Sequence, residues 1–153
     1  MNGVVTEDVS ENIALQWGLE GGWCGGRLNP TLDIVRFKYV SDQSLEKDDI
    51  RKLYIEVIEY MLYAYNSNEK LRCSFGEFPF KNKNLQIKIK FPANDCKVGK
   101  IKYVAGFEDR VIFSYVTDDM SYKRDSETFD EAYFKVYGKA WDPYRYGRYE
   151  IKQ

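Results

Sequence analysis

The sequence predicts an α+β fold: a four-stranded, mainly antiparallel sheet with a long central helix and a C-terminal helix packed on one face. Three observations carry this. Residues 44–65, SLEKDDIRKLYIEVIEYMLYAY, place Ile50, Leu53, Tyr54, Val57, Met61 and Ala64 at the i, i+3, i+4, i+7 spacing of a helical face. Residues 85–91, LQIKIKF, alternate apolar and polar without error, and two more strand-like runs follow after short turns. Residues 128–131, TFDE, form a capping box ahead of a last apolar stripe. Ile55, Ile58, Leu62 and Tyr65 widen the apolar face of the central helix, which needs a large cover, most economically a sheet. Arg51, Lys52, Glu56 and Glu59 mark its wet side.

In chain order, residues 10–19 form a short helix capped by Ser10, with Ile13, Ala14 and Trp17 on one side. It stops in GLEGGWCGG, where five of nine residues are glycine. This segment is read as a flexible turn. A phosphate loop needs a strand before it and a helix after it, and here the order is reversed. Residues 32–40, LDIVRFKYV, are the first strand, with Val35, Phe37 and Tyr39 inward and Arg36 and Lys38 outward. Asp48 and Asp49 favour the start of the central helix, and residues 66–68, NSN, end it. Residues 69–84 are a packed, irregular connection anchored by Leu71, Phe75, Phe78 and Phe80. In the second strand Gln86, Lys88 and Lys90 point outward. Residues 101–107 are the third strand, with Ile101, Tyr103, Ala105 and Phe107 inward. Glu108 and Asp109 reverse the chain into a fourth strand over 111–116. Residues 118–125 are a polar loop. The last helix buries Phe129, Ala132, Tyr133 and Val136 and ends near Gly138. The first strand joins the meander through the central helix by a right-handed crossover, beside the second strand or at the far edge.

The length of 153 residues suggests one domain, 1–153, with 1–9 and 142–153 as loose ends. Hydrophobic residues at 44% and aromatics at 16% are enough for a core. The net charge is −1, so the whole-molecule balance points to neither nucleic acid nor membrane, and any charge argument must be local. There is no histidine, which removes the usual general base, the commonest metal ligand and every Ser-His or Cys-His pair. Cys24, Cys73 and Cys96 lack metal or redox spacing and read as small structural thiols. No cofactor motif and no metal site is expected. No apolar run is long enough for a transmembrane helix, and the first residues, MNGVVTEDVSEN, lack the cationic and apolar regions of a signal peptide.

The segments GGWCGG (21–26), DIRKLYIEVIEYMLYAYNSNEKLR (49–72) and FPFKNKNLQIKIKF (78–91) together resemble a small family found mainly in chlamydia-like and legionella-type bacteria. The resemblance spans about residues 21–116 and leaves out the aromatic C-terminal tail. It implies no activity and no site residues; it does imply an exported, envelope location.

One charge pattern stands out. Arg36, Lys38, Lys88, Lys90, Lys100 and Lys102 all project from the sheet side opposite the central helix, with no acid alternating among them. The plain reading is a solvated face kept soluble and unable to pair edge to edge. The functional reading is a docking face for an acidic protein or another anionic surface. Nucleic acid is not expected, because Tyr39, Tyr103, Phe113 and Tyr115 are read as pointing inward, leaving no exposed rings for base stacking. In the tail, Trp141, Tyr144, Tyr146 and Tyr149 alternate with basic residues. They form either a second binding surface or a flap folded over the sheet. Asp118, Asp119, Asp125, Glu127, Asp130 and Glu131 supply carboxylates, but nothing places two of them across a substrate.

The expected function is therefore a non-catalytic interaction domain using the basic face or the aromatic tail, with no catalytic residues. The first alternative is an envelope-type module holding a small molecule or lipid in a cavity beneath Met61, Leu62 and Tyr65. The second is a carboxylate-based hydrolase.

Overall fold

A computed structural model describes residues 2–28, 31–92, 98–117, 121–143, 145–146 and 149–150. For residues 2–5, 28, 145–146 and 149–150 only the backbone path is described. The α+β class holds, but the sheet has six strands rather than four. Helix α1 (Asn2–Trp17) leads into a hairpin of β1 (Leu19–Leu28) and β2 (Leu32–Ser41). Helix α2 (Lys47–Asn66) and a single turn, α3 (Glu69–Arg72), follow. A meander of β3 (Leu85–Lys90), β4 (Ile101–Phe107), β5 (Arg110–Val116) and β6 (Tyr122–Thr128) then runs into helix α4 (Phe129–Tyr137). Two-residue strands β7 (Arg145–Tyr146) and β8 (Tyr149–Glu150) form a small hairpin beside α2. The large sheet runs β1 to β6 in sequence order, antiparallel except for β2 beside β3, whose parallel pairing is bridged by α2. This settles the position of the strand over 32–40: it lies next to β3.

The two additional strands correct two expected loops. The glycine-rich segment is β1, paired with β2 from Leu19↔Ser41 to Leu28↔Leu32. Glycine is required there because chain and helix come very close. A Cβ at Gly21 would sit 2.2 Å from the Lys38 carbonyl oxygen, and one at Gly22 would sit 2.0 Å from Ser10 Oγ. That same hydroxyl accepts a hydrogen bond from the Trp23 amide at 3.1 Å, stapling α1 onto β1. Residues 122–128 are β6 rather than loop. Six of its seven residues are exposed or half-buried, so no alternation marks it, as befits a charged edge strand.

Helices α1, α2 and α4 cover one face of the sheet. Ile50, Tyr54, Val57, Ile58, Met61, Leu62 and Tyr65 of α2 are buried against Phe37, Tyr39, Ile87, Ile89, Val104 and Phe113. Buried hydroxyls close the packing: Tyr39 donates toward Ser10, and Tyr65 donates to Thr6 at 3.0 Å. Helix α1 starts well before Ser10, so residues 2–9, expected to be a loose end, are helical. Arg51 and Glu59, expected on the wet side of α2, are buried. Arg51 donates to the Glu127 carboxylate of β6, which also pairs with Lys135 of α4. Among the described residues, no helix is long and apolar enough to cross a membrane.

Candidate anion-binding face

Among the described residues no helix covers the other side of the sheet, and strand register decides what it displays. The parallel register sets Lys38 beside Lys88 and Arg36 beside Gln86. Across β3 and β4, Lys88 faces Ala105 and Lys90 faces Tyr103. Tyr103 in turn faces Ser114, and Ser114 faces Arg124. Residues paired in this way share a face, so Lys90, Tyr103, Ser114 and Arg124 form one row across four strands. Lys38, Lys88 and Ala105 form the next. A register shift between Ile101 and Tyr103 adds one residue to β4. That bulge turns Lys102 toward the open face alongside Tyr103, where strict alternation would have sent it inward.

These residues line a shallow depression of about 410 Å³ formed by Lys88, Lys90, Phe91, Lys102, Tyr103, Tyr122 and Arg124. Its described lining holds four cations and no carboxylate. The Lys88 ammonium lies 4.0 Å from the centre of the Tyr103 ring. Lys102 lies 5.4 Å from the centre of the Tyr122 ring and 3.4 Å from its hydroxyl. The Tyr103 phenol is held below its ordinary range by the neighbouring Ser114 hydroxyl, against the opposing effect of burial; Arg124 and Lys88 add to the lowering. Contacts of this kind hold each ammonium against a ring by electrostatic attraction to the ring face.

Five of the six basic residues expected on this face are on it: Arg36, Lys38, Lys88, Lys90 and Lys102. Lys100 is the exception. It precedes β4, and its ammonium pairs with Glu46 at 2.7 Å, ahead of α2. It lines a separate recess with Leu45, Lys47, Tyr115 and Asp125. Arg36 donates to Gln86 at 2.8 Å and borders a wider depression of about 950 Å³ at the other end of the sheet. Charge there is matched, with Arg27 3.5 Å from Asp33 and Lys83 3.2 Å from Glu77.

A second correction concerns Tyr103. It was expected inward with Ala105 and Phe107, but Val104 is the fully buried residue of β4 and Phe107 is exposed. The argument against base stacking thus loses one of its four rings, Tyr103, while Tyr39 and Phe113 are buried in the core as expected. Arg124 and Tyr122, hidden in the expected loop, also belong to the site. No period marks them in sequence; pairing with β5 alone brings them in.

The described part of the tail lies beside α2 and the core rim rather than on this face. Trp141 packs edge-on against Phe129 with ring centres 5.3 Å apart, at the rim of the core. The backbones of Tyr146 and Tyr149 pair in the β7–β8 hairpin beside α2, and Tyr144 lies outside the described residues. Met61, Leu62 and Tyr65 are fully buried core residues, and the depression lies on the opposite side of the sheet from the cavity expected beneath them. Of the carboxylates, Asp125 pairs with Lys47 and Glu127 with Arg51 and Lys135, while Asp118 and Asp119 lie outside the described residues. Cys24 and Cys73 are free and exposed, and Cys96 lies outside the described residues. Among the described residues, no group of three or more Cys, Asp or Glu is placed to hold a metal ion. No family model, no curated protein and no solved structure matches this chain.

Proposed function

We propose that this is a non-catalytic binding domain that holds an anionic partner on the open face of its sheet. One observation carries the reading. Lys88, Lys90, Lys102 and Arg124 converge on one depression, and none of them has an ion-pair partner among the described residues. Lys47, Arg51, Lys83, Lys100 and Lys135, away from this depression, do find carboxylates. A net charge of −1 therefore hides a segregated cationic surface.

Retention on heparin-agarose at low salt tests this. The wild-type chain is expected to be retained and to elute as salt rises. The double variant Lys88→Glu/Lys90→Glu is expected to flow through. Both side chains are at the surface, so its melting temperature should stay within about 2 °C of the wild type. Equal retention of the two proteins would defeat the proposal.

A further inference from the structure

We infer that the partner of this face is single-stranded nucleic acid, with bases stacked on Tyr103 and Tyr122 between the phosphate-facing cations. The inference rests on the anion-docking reading above and narrows it. Lysines and arginines alone accept any polyanion; the rings among them discriminate. Tyr103 stands in the centre of the cationic row, and Tyr122, 60% exposed, stands at its edge on β6. Single-strand-binding surfaces pair a cationic track with such rings, because every base has a flat face to stack.

The geometry supports a strand lying across the sheet. Arg124 is two strands from Tyr103 in the same row, and Tyr122 is two residues further along β6. At ordinary strand spacing and rise, the two tyrosine Cα atoms stand about 12 Å apart. Ala105, the small cross-strand neighbour of Lys88, is only half-buried, while Ser114 is covered beside Tyr103. Lys38 continues the cationic track onto β2 beside Lys88. Duplex fits poorly, because among the described residues this face is built of sheet strands, with no helix placed on it to enter a groove. An acidic peptide would meet the cations and leave the rings unused.

Fluorescence anisotropy of the full chain with a labelled oligothymidylate of about twelve nucleotides, a length within the usual site sizes, tests this. Poly-glutamate and a duplex of equal length serve as competitors. Tyr103→Leu and Tyr122→Ala should each weaken oligothymidylate binding about tenfold, a larger loss than either causes in the salt needed for elution from heparin. Tyr103→Phe keeps the ring and should keep the binding, which separates stacking from any loss of fold. If the tyrosine variants bind like wild type while Lys88→Glu/Lys90→Glu does not, polyanion docking stands and the stacking inference falls. Poly-glutamate competing as well as oligothymidylate would likewise overturn it in favour of an acidic protein. Failure to bind oligothymidylate with heparin retention intact would overturn the nucleic-acid inference alone, and failure to bind either polyanion would overturn the reading of the face itself.

Discussion

Arg51 sits on the polar stripe of α2, yet the fold buries it between β6 and α4, where it meets Glu127 and Asp48. Its guanidinium and the neighbouring Lys47 ammonium lie over the Phe113 ring, 5.4 and 5.0 Å from its centre respectively. Burial alone would raise the Glu127 carboxyl, but hydrogen bonds from Arg51 and Lys135 outweigh it and hold the group below its ordinary value of 4.5. The carboxylate therefore adds stability that is complete above that value and is lost as pH falls through the lowered folded one. Replacing Arg51 with Ala leaves a buried carboxylate with one cation fewer and is expected to cost about 3 kcal/mol in urea unfolding. The melting-temperature gap between wild type and Glu127→Gln should narrow as pH drops from about 6 to about 3. A gap that stays constant would show that the charge does not contribute. Asp125, held low by Lys47, titrates alongside, which is why the comparison is made against the variant. Local periodicity marks Arg51 as wet because it cannot register a strand that arrives from residue 127.

At the scale of elements, the long helix, the β2 and β3 strands and the capped last helix are legible because each carries its own period. Thr128 accepts from the Glu131 amide at 3.1 Å, as the TFDE pattern implies. Two strands are not legible, since glycine and charged residues lack side chains that report a buried face. In β4 the bulge at Lys102 breaks the alternation, so a period-two reading inverts its faces from Tyr103 onward. The true register is set by packing. Gly106 lies under α2, where a Cβ would fall 1.9 Å from the Tyr54 hydroxyl. Gly106→Ala should thus destabilise by about 2 kcal/mol through overpacking. Adding Tyr54→Phe, which removes the clashing oxygen, should recover part of that loss in a double-mutant cycle. Simple additivity would mean that the helix does not rest on this glycine.

At the scale of the molecule, charge is sorted by layer. Asp33, Glu46, Glu77, Asp125 and Glu127 pair with cations on the helix side and at the sheet ends, while Lys38, Lys88, Lys90, Lys102 and Arg124 share the opposite face, with exposed Glu20 two strands from Lys90 in the same row. If all five contact phosphates, the logarithm of oligothymidylate affinity should fall with the logarithm of salt at a slope no steeper than about −3.5. A slope near zero in a salt titration would mean that binding, if present, is not carried by these cations. By itself the sequence determined the fold class, the helix that anchors the core and the outward lysines of β2 and β3, because these depend on periods readable within one segment. Only the tertiary structure decided that Tyr103, Tyr122 and Arg124 share a surface with those lysines and that Lys100 does not. Cross-strand register, a one-residue bulge and an aperiodic edge strand are made by contacts between distant segments, and no local spacing encodes them.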